Sequence, residues 1–240
     1  MSDEPVRLSK LMAHRGLCSR READRYIEQG LVRVDGKVID QLGSRILPTQ
    51  KIELMQAAQK QQAQRYTVLL NKPVGYVSNL PEKGYEAASE LILPENHVGE
   101  GNPELSWKGL APAGRLDIDS MGLIVLTQDG RVAKQLIGEN SQIEKEYLIW
   151  VEGDISEEKL ERLRYGLRLD GRQLKRAGIK KMDDHHIQFI LKEGRKRQIR
   201  RMCDQVDLHV TRLMRVRIGN IRLENLPVGK WRYLKADEAF

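Results

Sequence analysis

Cysteine is nearly absent from this 240-residue chain: Cys18 and Cys203 are the only two, and no CxxC pair exists. That removes zinc ribbons, redox dithiols and disulfide frameworks from consideration, and makes a reducing, cytoplasmic setting the economical expectation. No apolar run approaches the roughly 18 residues that a membrane span needs. The opening MSDEPVRLSK is acidic, then basic, with no apolar core, so no signal peptide is expected. Aromatics are scarce at 5%. Any nucleic-acid binding must therefore lean on Arg and Lys rather than on a platform of stacked rings. There is no P-loop and no Gly-x-Ser-x-Gly elbow, and Gly99-x-Gly101 lacks the strand and helix of a dinucleotide site. The Asp183-Asp184-His185-His186 run chelates poorly, because neighbours on a strand face opposite ways; it reads as a surface turn. No internal repeat is apparent.

What is present is enough apolar content for a core (40%), with 31% charged residues and a net charge of +7. The length suits one large domain or two unequal ones. The charge is concentrated. From Gly194 to Arg222 nine basic residues, eight of them Arg, face only Asp204 and Asp207. A solvated helix face is the plain explanation; the Arg bias and the interleaved Ile199, Met202 and Val206 point instead to an anionic ligand, nucleic acid first.

Leu8, Leu11 and Met12 follow helical spacing, and the helix they predict ends near Gly16. Ser19 and Glu22 have capping-box spacing, which predicts a second helix with Ala23, Tyr26 and Ile27 inward, stopped by Gly30. LVRVDGKVI then reads as a hairpin turning at Asp35-Gly36. This stretch, and SRREADRYIEQGLVRVDGK above all, resembles the S4 RNA-binding domain. The resemblance implies RNA contacts at Arg7, Lys10, Ser19, Arg20, Arg21 and Arg25; the competing reading of the helix charges is intrahelical ion pairing.

Residues 56–64 are Gln-rich without apolar periodicity and read as a linker, with partial helix as the alternative. Boundaries at 1–56, 57–64 and 65–240 follow. Beyond them, RYTVLLNKP (65–73) reads as a strand ended by Lys72-Pro73, and GLIVLTQDG (122–130) as a short apolar run closed by a turn at Asp129-Gly130; further strands are expected at 145–153, 185–191 and 210–223, and helices at 156–166 and 195–206. A Gly- and Pro-rich loop is expected over 95–113.

The segment AGRLDIDSMGLIVLTQDG (113–130) sets Asp117 in a Gly-flanked loop before an apolar strand, with Asp119 two residues on and Arg115 just upstream. By spacing alone the two carboxylates suit a turn, a metal site or an acid/base pair. GRLDIDSMGLIVLTQDG resembles the signature of the RsuA family of RNA pseudouridine synthases. LNKPVG (70–75), EKEYLIWV (144–151) and EGRKRQIRRM (193–202) resemble its other motifs, in order. DSMGLI, QIRRMC and PVGKWRYL look most like the RluF-type enzymes, which act on large-subunit ribosomal RNA.

The resemblance implies an α+β protein: an S4 module plus a catalytic domain on a mixed, largely antiparallel sheet. It implies isomerisation of uridine to pseudouridine in ribosomal RNA, with no cofactor and no metal. Asp117 would be the nucleophile and Tyr147 would stack on the base. Arg200 would pair with Asp117, with Arg197 as the competing partner. Arg115, Arg195 and Arg197 would touch RNA, and Lys72 and Tyr76 would line the entry. Asp119 is left as a turn or cap. Ser120 stands where most of the family has Thr. The rival readings are an S4-type rRNA assembly factor, a dual rRNA/tRNA enzyme, and a metal-dependent nuclease using Asp117 and Asp119. A monomer is the default expectation.

Overall fold

The computed structural model describes residues 4–79, 81, 84–104, 106, 108–138 and 141–240. Leu105 and Trp107, within the expected 95–113 loop, lie outside the described residues.

The N-terminal unit forms as its local signals dictate. Helix α1 (Leu8–His14) buries Leu8, Leu11 and Met12, and Gly16 takes a positive φ of 75° just past its end. Helix α2 (Arg20–Glu28) is opened by a complete capping box. The Glu22 N–H donates to Ser19 Oγ at 3.3 Å and the Ser19 N–H donates to Glu22 Oε2 at 2.6 Å. Strands β1 (Val32–Val34) and β2 (Lys37–Ile39) pair across Asp35 and Gly36, at φ 48° and 81°. Two consecutive positive φ values are what the type I′ hairpin turn requires. Strand β3 (Ile52–Leu54) closes this small sheet on the other side of β1.

The stretch read as a linker is helix α3 (Gln56–Ala63). Its Ala58 and Gln62 are spaced i, i+4 and both turn inward, and Gln62 Nε2 donates to Leu17 O at 2.8 Å. The helix is thus fastened to the first unit.

The remainder is built on a nine-stranded sheet. Its main path uses β4 (Thr67–Lys72), β5 (Met121–Thr127), β6 (Lys145–Glu152), β7 (Gly178–Lys181), β8 (His186–Leu191), β9 (His209–Ile218) and β10 (Trp231–Tyr233). Their order is β7-β8-β6-β9-β5-β4-β10, antiparallel throughout except for β9 against β5. That parallel ladder holds only two pairs, Met214↔Met121 and Arg215↔Gly122. Arg215, at the end of this ladder, lines the same cavity as the Asp117 loop.

β5 is apolar along its whole length because both sheet faces are covered there. Ile124 and Leu126 join one core with Tyr147, Ile149 and Trp231; Leu123 and Val125 join a second core with Leu136 and Ile218. The helix α4 (Gly130–Ile137) follows directly, and Asp129 caps it by accepting from the Arg131 N–H at 2.8 Å. Sequence reading took Asp129-Gly130 as a turn and missed this helix. The signal was an Asp ahead of the inward-facing Val132, Ala133 and Leu136. Helix α5 (Glu157–Arg164) begins at Ser156 as expected. Helix α6 (Gln198–Asp204) starts three residues later than expected, because Arg197 sits at φ 50°.

Candidate active site

A cavity of about 750 Å³ opens between the Asp117 loop, the start of β6 and the 193–200 segment. Asp117, Tyr147 and Arg200 line it, and so do Arg115, Arg195 and Arg197. Residues up to 85 positions apart in sequence are thus collected at one place. The S4-like residues Arg7, Lys10, Arg20, Arg21 and Arg25 do not line it. They are exposed on the N-terminal unit, and none forms an ion pair among the described residues.

Asp117 stands at the head of a tight turn in which the Ser120 N–H donates to Asp117 O at 3.0 Å. The turn sends the carboxylates of Asp117 and Asp119 in different directions. Asp117 is half-buried and its carboxylate has no hydrogen-bond or ion-pair partner among the described residues. Asp119 is the one that meets the guanidinium groups. Its Oδ2 lies 2.9 Å from Arg197 Nη1 and 3.2 Å from Arg200 Nε. Arg200 also donates to Asp119 O at 2.9 Å and to Val210 O at 2.6 Å. The expected pairing of Arg200, or of Arg197, with Asp117 is therefore corrected. The reason is the turn, which carries Asp119 to the guanidinium groups of Arg197 and Arg200 at the start of α6.

Two further sequence assignments move. Ser19 is the α2 cap, and it abuts Gly130, where a Cβ would fall 2.1 Å from its own. It is half-buried beside the second unit, and its hydroxyl accepts from the Glu22 N–H. Glu22 and Arg65 form an ion pair beside it, and Lys134 Nζ donates to Ala13 O at 2.6 Å. Lys72 does not line an entry either. It is fully buried, with Nζ donating to Pro73 O and Tyr76 O, both at 2.8 Å. Burial pushes its ammonium down to about 8, with Asp119 and Asp117 opposing and Arg215 reinforcing the shift.

Arg215 was only one member of a basic run in the sequence. In the structure it is a buried wall of the cavity. A bulge between Arg215 and Arg217 explains how. It inserts one residue, so Arg215 shares the Tyr147 face while Arg217 turns to the other and bonds Glu146 Oε2 at 2.6 Å. The run is thus mixed in role: Arg201 pairs with Asp170, Arg217 with Glu146 and Glu144, and Arg195, Lys196 and Arg197 remain along the cavity. Both cysteines are buried free thiols, pushed up by desolvation to about 11 for Cys18 and about 12 for Cys203. Thiolate chemistry at neutral pH is closed to them. Asp183 accepts from the His185 and His186 N–H groups, which is the surface turn expected there.

A carboxylate without a partner among the described residues, an aromatic ring and several cations around one cavity suit a polyanionic substrate. Comparison with known proteins identifies the family. The RNA pseudouridylate synthase family matches residues 66–205, and the S4 domain family matches residues 6–52. The chain is 36% identical over 240 residues to the dual-specificity RNA pseudouridine synthase RluF of Escherichia coli K12, covering 99% of this chain and 78% of that one. It is 32% identical over 241 residues to the ribosomal large subunit pseudouridine synthase B of Bacillus subtilis, covering 97% and 93%. A crystal structure of a pseudouridylate synthase superposes with a TM-score of 0.65 at 25% identity, covering 96% of each chain.

Proposed function

The chain belongs to the RNA pseudouridylate synthase family, and from that premise we propose that it isomerises one uridine of ribosomal RNA, in the large subunit, with Asp117 as nucleophile. The observation that carries this is the Asp117 carboxylate: half-buried in the cavity that Tyr147 also lines, with no hydrogen-bond or ion-pair partner among the described residues. A carboxylate committed to a salt bridge is a poor nucleophile; this one is left available. Tyr147, on β6, offers its ring to the base. Arg200 and Arg197 act by clamping Asp119, which fixes the turn that carries Asp117.

The reaction exchanges a carbon–nitrogen bond for a carbon–carbon bond within one nucleotide. It is redox-neutral and takes no group from outside, so positioned protein groups suffice and no cofactor is called for. The target base must leave its stack, at a cost of a few kcal/mol. Cations of both units offset that cost by binding the backbone. The two units we assign as 1–56 and 65–240, with α3 joining them. Large-subunit RNA as substrate is supported by the motif resemblance and by the Bacillus relative. The dual-specificity relative supports a second reading in which transfer RNA is also modified.

The test is tritium release from C5-labelled uridine in ribosomal RNA, with EDTA present. Release with EDTA is the expected result. RNA binding with no release would favour the assembly-factor reading; release abolished by EDTA would favour a metal-dependent reaction. In the same assay, Arg20→Glu with Arg21→Glu should raise KM and leave kcat near wild type. The salt dependence of binding should become shallower by roughly one unit of slope per lost phosphate contact. An unchanged slope would remove α2 from the RNA path.

A further inference from the structure

Two cations beside the cavity are paired by no carboxylate among the described residues. Arg215 is 2% exposed. Its Nε donates to Leu123 O at 2.7 Å and its Nη1 to Arg115 O at 3.3 Å, while Nη2 is buried without a hydrogen-bond partner. Its guanidinium carbon lies 6.0 Å from the centre of the Tyr147 ring. Lys145 precedes Tyr147 by two positions on β6, so both face the cavity. Lys145 Nζ donates only to carbonyls, Leu136 O at 3.2 Å and Ile143 O at 3.3 Å.

Lys145 shares the cavity with Asp117, Glu193 and the basic side chains of Lys192, Arg195 and Arg197, and its cross-strand neighbours are apolar. Leu191 is opposite on β8 and Ile218 on β9, and α4 presents a carbonyl. Burial first, and then the charge of Arg215, push the ammonium down to about 8. Neither Asp117 nor Asp119 forms an ion pair with Lys145 among the described residues. Charges buried among neutral groups are costly unless an anion arrives to meet them. The resident carboxylates do not meet these two, so the anion must come with the substrate.

We propose that Lys145 and Arg215 form a cationic floor that stabilises the negative charge of the target uracil while it is detached from its ribose. The proposal rests on the reading of Asp117 as the nucleophile of uridine isomerisation. Asp117 bonds to C1′ through a carboxylate oxygen as the bond from C1′ to N1 breaks, and that bond's electron pair passes to N1 and spreads over O2 and O4. C5 then bonds to C1′ and displaces the carboxylate, C5 loses its proton and N1 gains one, so the rearrangement balances without an outside reagent. Arg215 acts through the Tyr147 ring it lies over, and Lys145 acts from the same strand. Both are positioning charges, fixed before the negative charge develops, which is where such groups lower a barrier most.

The experiment is single-turnover pseudouridine formation by the full chain. Lys145→Met should lower the rate about 100-fold with KM unchanged, and Lys145→Arg should restore most of it. The wild-type rate should fall as pH rises through about 8, since the ammonium is charged below that value and neutral above it. Lys72 titrates in the same range, so the decisive sign is that Lys145→Arg moves the limb to higher pH. A target of 5-fluorouridine, whose base is a more stable anion, should shrink the Lys145→Met deficit in base detachment, followed as loss of the target nucleoside. A role confined to capping α4 predicts the same deficit on both substrates and no movement of the limb. Equal deficits, or a rate flat from about pH 7 to 9.5, would overturn the proposal, and the pH measurements serve even if Lys145→Met does not fold. A wild-type chain that releases no tritium would instead overturn the reading beneath it, an outcome distinct from an active wild type whose Lys145→Met variant keeps its rate.

Discussion

Asp117→Asn should remove tritium release altogether, a loss of at least about 10⁴-fold, as expected when a nucleophile is deleted. It should do so without unfolding the protein. The Asp117 carboxylate has no hydrogen-bond or ion-pair partner among the described residues, so an amide of the same shape breaks nothing. The urea midpoint should move by less than about 0.5 kcal/mol equivalent. Asp119→Asn should show the opposite pattern. It removes the charge opposite Arg197 and Arg200, at 2.9 and 3.2 Å. Arg200 is buried, and leaving such a group uncompensated costs about 1–3 kcal/mol. Activity should fall only as far as the turn loosens. Melting curves beside rate measurements on both variants separate the two carboxylates. A stable Asp117→Asn that still releases tritium would end the nucleophile assignment, and an Asp119→Asn as inactive as Asp117→Asn would revive the two-carboxylate nuclease.

The contrast between these carboxylates shows where sequence reading stops. Local chemistry was legible: the Ser19–Glu22 capping box and the Asp35-Gly36 hairpin are decided within four residues, and both formed. The apolar run of β5 announced a strand, and the structure covers both its faces. The motif order also collected Asp117, Tyr147 and Arg200 before the cavity was seen. What escaped were interactions set by long-range placement. Which of two carboxylates a guanidinium meets depends on a turn of four residues against a helix eighty positions away. That Ser19 packs against Gly130 of the other unit is likewise invisible in its local sequence. Arg215 and Arg217 looked equivalent in the basic run, and a single inserted residue sends one into the cavity and the other to Glu146. A charge count cannot see a bulge, and it cannot tell a solvated Arg from one buried against carbonyls.

The parallel ladder beside the cavity supplies the largest expected effect on stability. Gly122 has φ 105°, and a Cβ there would fall 2.3 Å from Arg215 O and 2.7 Å from Arg215 N. Both of those neighbours are backbone, so nothing can rotate aside. In Gly122→Ala, β5 and β9 must separate at one of the only two pairs that join them. Positive-φ strain adds about 1–3 kcal/mol to the cost of that separation. The total should exceed about 4 kcal/mol, in the range reserved for named structural failures. Activity should be lost with it, because the same displacement shifts the Asp117 turn and the Arg215 Nε bond to Leu123 O. Gly99→Ala isolates the two contributions: Gly99 has φ 94° and open space around it, so it bears the backbone strain alone. Urea titration of both variants then measures the close approach as a difference. A Gly122→Ala no less stable than Gly99→Ala would mean that the strands yield there freely, and that the cavity does not depend on their contact.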